Sequence, residues 1–121
     1  MRVLICGDRF WNSWSMVKSR MLLLSQSDVV VHGAARGADS IAASLANGMG
    51  LAVESFPAEW DKYGKAAGPI RNRAMLDTAP DLVIAFHNNI ESSRGTKDCV
   101  FEARRRGIPT EVISDPDWRI K

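Results

Sequence analysis

Hydrophobic residues along the chain alternate between short continuous runs and runs with helical spacing. The continuous runs predict five β-strands, at residues 3–6, 29–32, 52–56, 82–86 and 110–113. The helical runs predict four helices between them, at residues 13–24, 38–47, 69–76 and 96–106. Apolar strands that are separated by helices are typical of a parallel sheet covered on both faces. The pattern therefore predicts a small doubly wound α/β fold.

Length and composition limit the possible classes of protein. The chain has 121 residues with 45% hydrophobic content, which predicts a single domain over residues 1–121 with a tail at 113–121 that contains Trp118. It carries 16 Lys and Arg against 14 Asp and Glu, so no strong overall field attracts nucleic acid or an acidic membrane. The apolar runs are too short to span a bilayer, and the chain begins without the pattern of a secretory signal. We therefore expect a cytoplasmic protein with no membrane partner.

The two cysteines are far apart in the sequence. Cys6 lies in the first apolar strand and Cys99 in a late helical pattern. We expect both to be reduced and mostly buried thiols rather than a disulfide. The spacing of Cys and His residues fits no metal site, so no metal is predicted.

The segment 29–39 carries the clearest chemical signal. A β-branched run ends in a turn that contains Gly33, Arg36 and Gly37 and opens a helix. Glycines permit unusual backbone angles, and the first amides of a helix point outward with the positive end of its dipole. Such a turn is suited to an anion, and phosphate is the expected guest.

The other strands of a parallel sheet end at the same edge. The loops that begin at Gly7, Gly33, Pro57 and His87 should therefore meet there, and the ligand site is expected among them. These loops hold only a small excess of cations, so individual guanidinium groups matter more than a broad basic patch.

Six segments in order resemble the SLOG superfamily, and within it the YspA-like, YpsA-related branch. They are Gly7-Asp8-Arg9, HGAARGAD at 32–39, FPAEW at 56–60, YGKAAGPIRN at 63–72, PDLVIAF at 80–86 and RGTKD at 94–98. The resemblance implies a Rossmann-like fold that binds a nucleotide or a nucleotide-derived ligand, without any other certain cofactor. The superfamily includes the LOG phosphoribohydrolases and the DNA-binding DprA proteins. SLOG proteins often pair, so a homo-oligomer is also implied.

The resemblance assigns eleven residues to the binding of a small phosphorylated ligand. They are Gly7, Arg9, Gly33, Arg36, Gly37, Asp39, Lys65, Arg71, Asn72, Gly95 and Thr96. Asp39 is expected to cap its helix in preference to accepting a hydrogen bond from a ribose hydroxyl. Lys65 belongs to a flexible connection that can close over the ligand.

Arg71 and Asn72 follow Pro69, which is expected to start a helix and to place both in its first turn. There Arg71 can bind an anion and Asn72 a base or sugar. The alternatives are a surface ion pair for Arg71 and a helix-start hydrogen bond for Asn72.

The LOG enzymes carry a PGGxGTxxE motif whose glutamate takes part in cleavage of the N-glycosidic bond. The matching segment here is 92–99, which keeps Gly95 and Thr96 but has Cys99 at the glutamate position. No catalytic residue is therefore assigned. Asp8, Asp39, Glu59 and Asp98 stay as unassigned acids at the ligand edge, and the hypothesis leans away from an enzyme.

Large aromatic residues lie near the same loops. Trp11, Trp14 and Trp60 can stack on a base, but packing of the loops is the preferred interpretation.

Three classes of function stay open on the sequence alone. A nucleotide-binding sensor or carrier leads, a phosphoribohydrolase-like enzyme is the alternative, and a DprA-like binder of single-stranded DNA comes third. The third class lacks the expected basic groove, so nucleic acid is an improbable partner.

Overall fold

The computed structural model describes residues 1–115. Its five strands are β1 (Arg2–Gly7), β2 (Val29–His32), β3 (Ala52–Ser55), β4 (Leu82–Phe86) and β5 (Thr110–Ile113). Its five α-helices are α1 (Trp14–Met21), α2 (Ala38–Gly48), α3 (Trp60–Tyr63), α4 (Ala67–Asp77) and α5 (Gly95–Arg105). Two single 3₁₀ turns, at Gly64–Ala66 and Ile90–Ser92, lie before α4 and α5.

The five strands form one parallel sheet in the order β3-β2-β1-β4-β5. The chain moves outward from β1 to β3, then returns to the other side of β1 with β4. The strand order therefore reverses between β1 and β4, and in open α/β sheets ligands bind outside the carboxyl ends of the strands at such a point. The predicted doubly wound Rossmann-like fold is confirmed.

Helices cover both faces of the sheet. On one face, the side chains of Ile5 and Phe86 are fully buried against Val17 of α1 and Ala42 of α2. On the other face, buried residues of the sheet pack against α4 and α5. The sheet contributes Leu4, Val31, Val83 and Ala85, and the helices contribute Met75, Leu76, Val100 and Ala103. Because both faces of β1, β2 and β4 are covered, these three strands are nearly continuous in apolar residues, whereas the edge strands β3 and β5 are partly exposed and contain polar residues.

The buried thiols and one tryptophan match the sequence interpretation. Cys6 and Cys99 are free thiols, both buried within the cluster under α4 and α5. Trp11 is buried, its ring lies 5.5 Å from that of Phe86, and its Nε1 donates to the Ser13 carbonyl. Packing is therefore confirmed for Trp11, whereas Trp14 remains half exposed.

Several predicted boundaries are wrong. Helix α1 ends at Met21 rather than at residue 24, because the amides of Leu23 and Leu24 bond three residues back and tighten the chain into a turn. Helix α4 begins at Ala67, so Pro69 is its third residue instead of its first, where a missing amide is still tolerated. Arg71 therefore lies in the second turn of α4, not in the first.

The connection expected to be flexible between β3 and α4 is ordered as helix α3 and the turn Gly64–Ala66. The amides of Lys62 and Tyr63 both donate to the Glu59 carbonyl, which begins the short helix. Trp118 and most of the predicted tail lie outside the described residues. Within residues 1–115, no helix combines the length and the apolar character needed to cross a membrane.

Candidate functional site

The loops after β1 and β2 are joined at the carboxyl edge of the sheet. Gly7 ends β1, and the carbonyl of the next residue, Asp8, accepts from the amide of Ala38 at the start of α2. Gly37 precedes α2 with a φ of 72°, and a side chain there would collide with the backbone of Asp8 and Arg9. The glycine therefore permits close approach of two loops of the protein itself.

Asp39 is a buried acid in the first turn of α2, with 4% of its surface exposed. The cap position belongs to Gly37, so the prediction that Asp39 caps the helix is wrong. Its carboxylate reaches back across the turn and accepts from the Gly33 amide at 2.8 Å. Burial raises the pKa of Asp39 from its ordinary 3.8 to about 6, against the lowering effects of the Gly33 amide and the Arg71 charge.

Arg71 of α4 is anchored to the same turn. Its Nη1 donates to the Gly33 carbonyl at 2.6 Å, and its Nε donates to Oδ1 of Asn72 at 2.9 Å. The absence of a side chain on Gly33 makes this approach possible, since a Cβ there would lie 2.8 Å from the guanidinium carbon. The backbone of Gly33 thus donates to Asp39 through its amide and accepts from Arg71 through its carbonyl.

Asn72 connects α4 to the start of α5. It is buried, and its Nδ2 donates to the Gly95 carbonyl at 3.1 Å and to Oδ2 of Asp98 at 3.0 Å. Asp98 also pairs with Arg73 at 3.1 Å. The amide of Asn72 is therefore occupied by protein partners. Its role is to hold two helix ends together at the edge of the sheet.

The start of α5 retains free amide groups. The Thr96 amide donates to Oγ of Ser93 at 3.0 Å, and Thr96 itself is buried. The amides of Gly95 and Lys97 make no hydrogen bond to any of residues 1–115. They are open to an anion at the positive end of the α5 dipole.

Three other predicted cations do not join this hydrogen-bonded group. Arg9 is exposed, and its guanidinium carbon lies 5.0 Å from the centre of the Phe10 ring. Arg36 and Lys65 are also exposed, and neither forms an ion pair with any residue the structure describes. The positive charges of these three side chains are accessible to a ligand, but the hydrogen bonds of the candidate site do not fix their positions.

A cleft of about 290 Å³ opens beside Arg71, between the carboxyl end of β3 and helix α4. Its other lining residues are Ser55, Phe56, Pro57, Glu59, Tyr63, Ala67, Ile70 and Ala74. Arg71 is the only residue of the cleft that was predicted as a ligand contact. Its Nη2 makes no hydrogen bond within residues 1–115, so this lining residue keeps guanidinium donors that no protein group uses.

Sequence reasoning missed His32 and Ser55. His32 ends β2 and lies opposite Ser55, which ends β3, in the register of the two strands. Nε2 of His32 and Oγ of Ser55 are 2.8 Å apart. The signal was present in the sequence, because His32 is the last residue and Ser55 the last but one of two predicted parallel strands, which places both near the same edge.

The fold and this edge define a Rossmann-like α/β protein with its candidate site outside the carboxyl ends of the strands. A family model described as YspA, cpYpsA-related SLOG family matches residues 1–63. The "Gene 61 protein" of Mycobacterium phage D29 is 38% identical over 123 residues, covering 94% of this chain and 97% of that protein. The chain belongs to the YspA, cpYpsA-related SLOG family, and this membership supports a nucleotide-related function at a coarse level.

Proposed function

We propose that the protein binds a nucleotide or nucleotide derivative by its phosphate group and acts as a sensor or carrier of that ligand. The single observation that carries the proposal is that Arg71 is held in place by the protein but has no carboxylate partner among the described residues. Its guanidinium is half-buried and anchored on two neutral acceptors, the Gly33 carbonyl and Asn72. No carboxylate among the described residues forms an ion pair with it; Arg71 lines the cleft, and its Nη2 makes no hydrogen bond within residues 1–115.

This arrangement favours an anionic ligand for a physical reason. A guanidinium held by two hydrogen bonds has already lost most of its side-chain freedom, so binding costs less conformational entropy. Phosphate oxygens match its planar donors, and hydrogen bonds with an ionised partner are the stronger kind. The exposed Arg9, Arg36 and Lys65 and the open amides at the start of α5 add positive potential around it.

The chain offers a matched pair of arginines for the test. Arg73 lies two residues beyond Arg71 on the same helix but is committed to Asp98 and Glu102 and does not line the cleft. Isothermal titration calorimetry with a panel of nucleoside monophosphates should show binding to the wild type. Arg71→Gln should weaken it by about tenfold or more, since a hydrogen bond to a charged group contributes about 1.5–3 kcal/mol. Arg73→Gln should leave it within about twofold.

Absence of binding across the panel, or equal losses in the two variants, would refute the proposal. Thermal melting of both variants separates loss of binding from loss of fold.

The same samples test for turnover. Chromatography of the incubated nucleotides should show them intact, as expected for a sensor or carrier. Release of free base that is suppressed by Glu59→Gln or Asp98→Asn would instead assign a phosphoribohydrolase. A mobility-shift assay with single-stranded DNA should show no salt-dependent complex.

A further inference from the structure

The cleft beside Arg71 combines apolar walls with a few converging polar groups. Tyr63 and Ile70 line it and are 40% and 43% exposed, so both side chains keep surface that a ligand can cover. The other apolar lining residues are Phe56, Pro57, Ala67 and Ala74, and the polar members are Ser55, Glu59 and Arg71. A volume of about 290 Å³ is close to the lower limit of small-molecule sites. This composition suits a flat ring with a polar edge.

The hydrogen bonds around His32 determine what Ser55 can do. His32 is buried, and its Nδ1 accepts from the Ala34 amide at 3.0 Å. An acceptor nitrogen carries no hydrogen, so the ring is neutral and its hydrogen lies on Nε2. Burial lowers the pKa of His32, which agrees with the neutral form. Nε2 therefore donates to Oγ of Ser55, at 2.8 Å.

This direction gives Ser55 a defined role. His32 cannot remove the hydroxyl proton of Ser55, because Nε2 already holds a hydrogen, so the pair is not an activated nucleophile. The Ser55 hydroxyl keeps its own hydrogen and makes no other hydrogen bond within residues 1–115. It is oriented by His32 and can donate to an acceptor in the cleft. Glu59, on the same cleft, supplies an acceptor for a donor of the ligand.

We infer that this cleft is the nucleobase subsite of the proposed ligand. Tyr63 and Ile70 contact the ring. Ser55 donates to a ring acceptor, and Glu59 accepts from an exocyclic amine or a ring N–H. The inference rests on the proposed function, because Arg71 borders the cleft and would hold the phosphate of the same molecule. A nucleobase fits the polar groups, since each base presents a donor and an acceptor on one edge.

Two probes separate the base from the phosphate. Calorimetry compares AMP with ribose 5-phosphate, which lacks the base. Ser55→Ala and Tyr63→Leu should each weaken AMP by about three- to tenfold, from the loss of one neutral hydrogen bond or of aromatic contact, and leave ribose 5-phosphate within about twofold. Arg71→Gln should weaken both probes. GMP, CMP and UMP replace AMP if one of them binds more tightly.

Two control variants remove similar groups elsewhere. Ser27→Ala deletes an exposed hydroxyl before β2, and Phe101→Leu shortens a 43% exposed aromatic residue on α5. Both should bind AMP as the wild type does. Equal losses for AMP and ribose 5-phosphate, or no loss of AMP binding in either cleft variant, would overturn the inference while leaving the proposed function intact.

A further measurement covers the case in which no phosphorylated probe binds, which would refute the proposed function. Methyl NMR with adenosine at millimolar concentration should then still shift the Ile70 δ1 signal in the wild type and shift it less in Ser55→Ala. An unshifted Ile70 signal would overturn the base subsite as well.

Discussion

The substitution Asp39→Asn tests how much the buried negative charge of Asp39, in the candidate site, destabilises the folded protein. Asp39 is 4% exposed and accepts the Gly33 amide at 2.8 Å. Asparagine has nearly the same shape and keeps one oxygen for Gly33. It can never carry the charge, so it isolates the contribution of ionisation.

The size and sign of the effect follow from the pKa of Asp39, which rises from 3.8 to about 6 on folding. The folded state holds the proton more tightly than the unfolded state. The stabilisation from this group is therefore complete below about pH 4 and is lost as the pH rises through about 6. At about 1.36 kcal/mol for each pH unit, the loss reaches about 3 kcal/mol at neutral pH. Asp39→Asn should lack this dependence.

Urea unfolding of both proteins at about pH 4, 5, 6 and 7.5 measures the effect. The free energy of unfolding of Asp39→Asn relative to wild type should rise by about 2.5 kcal/mol from the lowest to the highest pH, because part of the total is already lost at pH 4. A constant offset of about 1–3 kcal/mol is expected from the misplaced amide group. The lowered pKa values of Asp28, Glu54 and Glu111 affect both proteins equally and cancel.

Asp61→Asn is the control, because Asp61 is exposed on α3 and has no ion pair among residues 1–115. It should retain the wild-type dependence on pH. The reasoning is refuted if the difference between Asp39→Asn and wild type is the same at about pH 4 and 7.5, or changes in the opposite direction.

Two further outcomes test the packing around the site. Gly37→Ala should lower the free energy of unfolding by at least about 1 kcal/mol more than Gly107→Ala. Both glycines have a positive φ, but of the two only Gly37 would bring the new Cβ against backbone, 2.5 Å from the carbonyl carbon of Arg9. Equal losses for the two variants in urea unfolding would contradict this contact. Cys6 and Cys99 should not react with a thiol reagent until urea unfolds the chain, because both are buried. The pKa of Cys6 is also raised, mainly by its hydrogen bond with Cys99 and in second place by burial. Rapid modification of one equivalent in the native protein would show that a thiol is accessible.

The order of elements could be predicted from the sequence because β1, β2 and β4 are short apolar runs and segments with helical spacing separate the strands. Strands β2 and β4 have the predicted bounds because they lie inside the sheet, where both faces are covered. Strand β5 also has its predicted bounds, although it is an edge strand whose Val112 is 37% exposed. The end of α1 could not be predicted from hydrophobicity. Leu22 and Leu23 extend the apolar pattern but are 60% and 77% exposed, because the helix stops at Met21. Hydrophobic spacing alone does not report where backbone hydrogen bonding changes.

Within the candidate site, the hydrogen-bond partners of the selected residues could not be predicted from the sequence. Arg71 and Asn72 were predicted to contact a ligand, and the structure shows that both hold the loops together. Those contacts join residues up to 38 positions apart, so no local pattern contains them. The cleft was missed for the same reason, since its walls come from β3, α3 and α4 and become neighbours only on folding.

The glycine-containing turn after β2 was predicted to bind an anion, and the chain itself supplies one. Asp39 lies where the turn offers its Gly33 amide, so that donor is already bonded to a carboxylate. A phosphate there would have to displace Asp39 or share the amide against its charge, which is unfavourable at neutral pH. The Gly33 carbonyl instead anchors Arg71, which lines the cleft and keeps spare guanidinium donors. Because Asp39 occupies the Gly33 amide, a phosphate is favoured at Arg71 rather than at the turn, and the turn contributes by holding Arg71 in place.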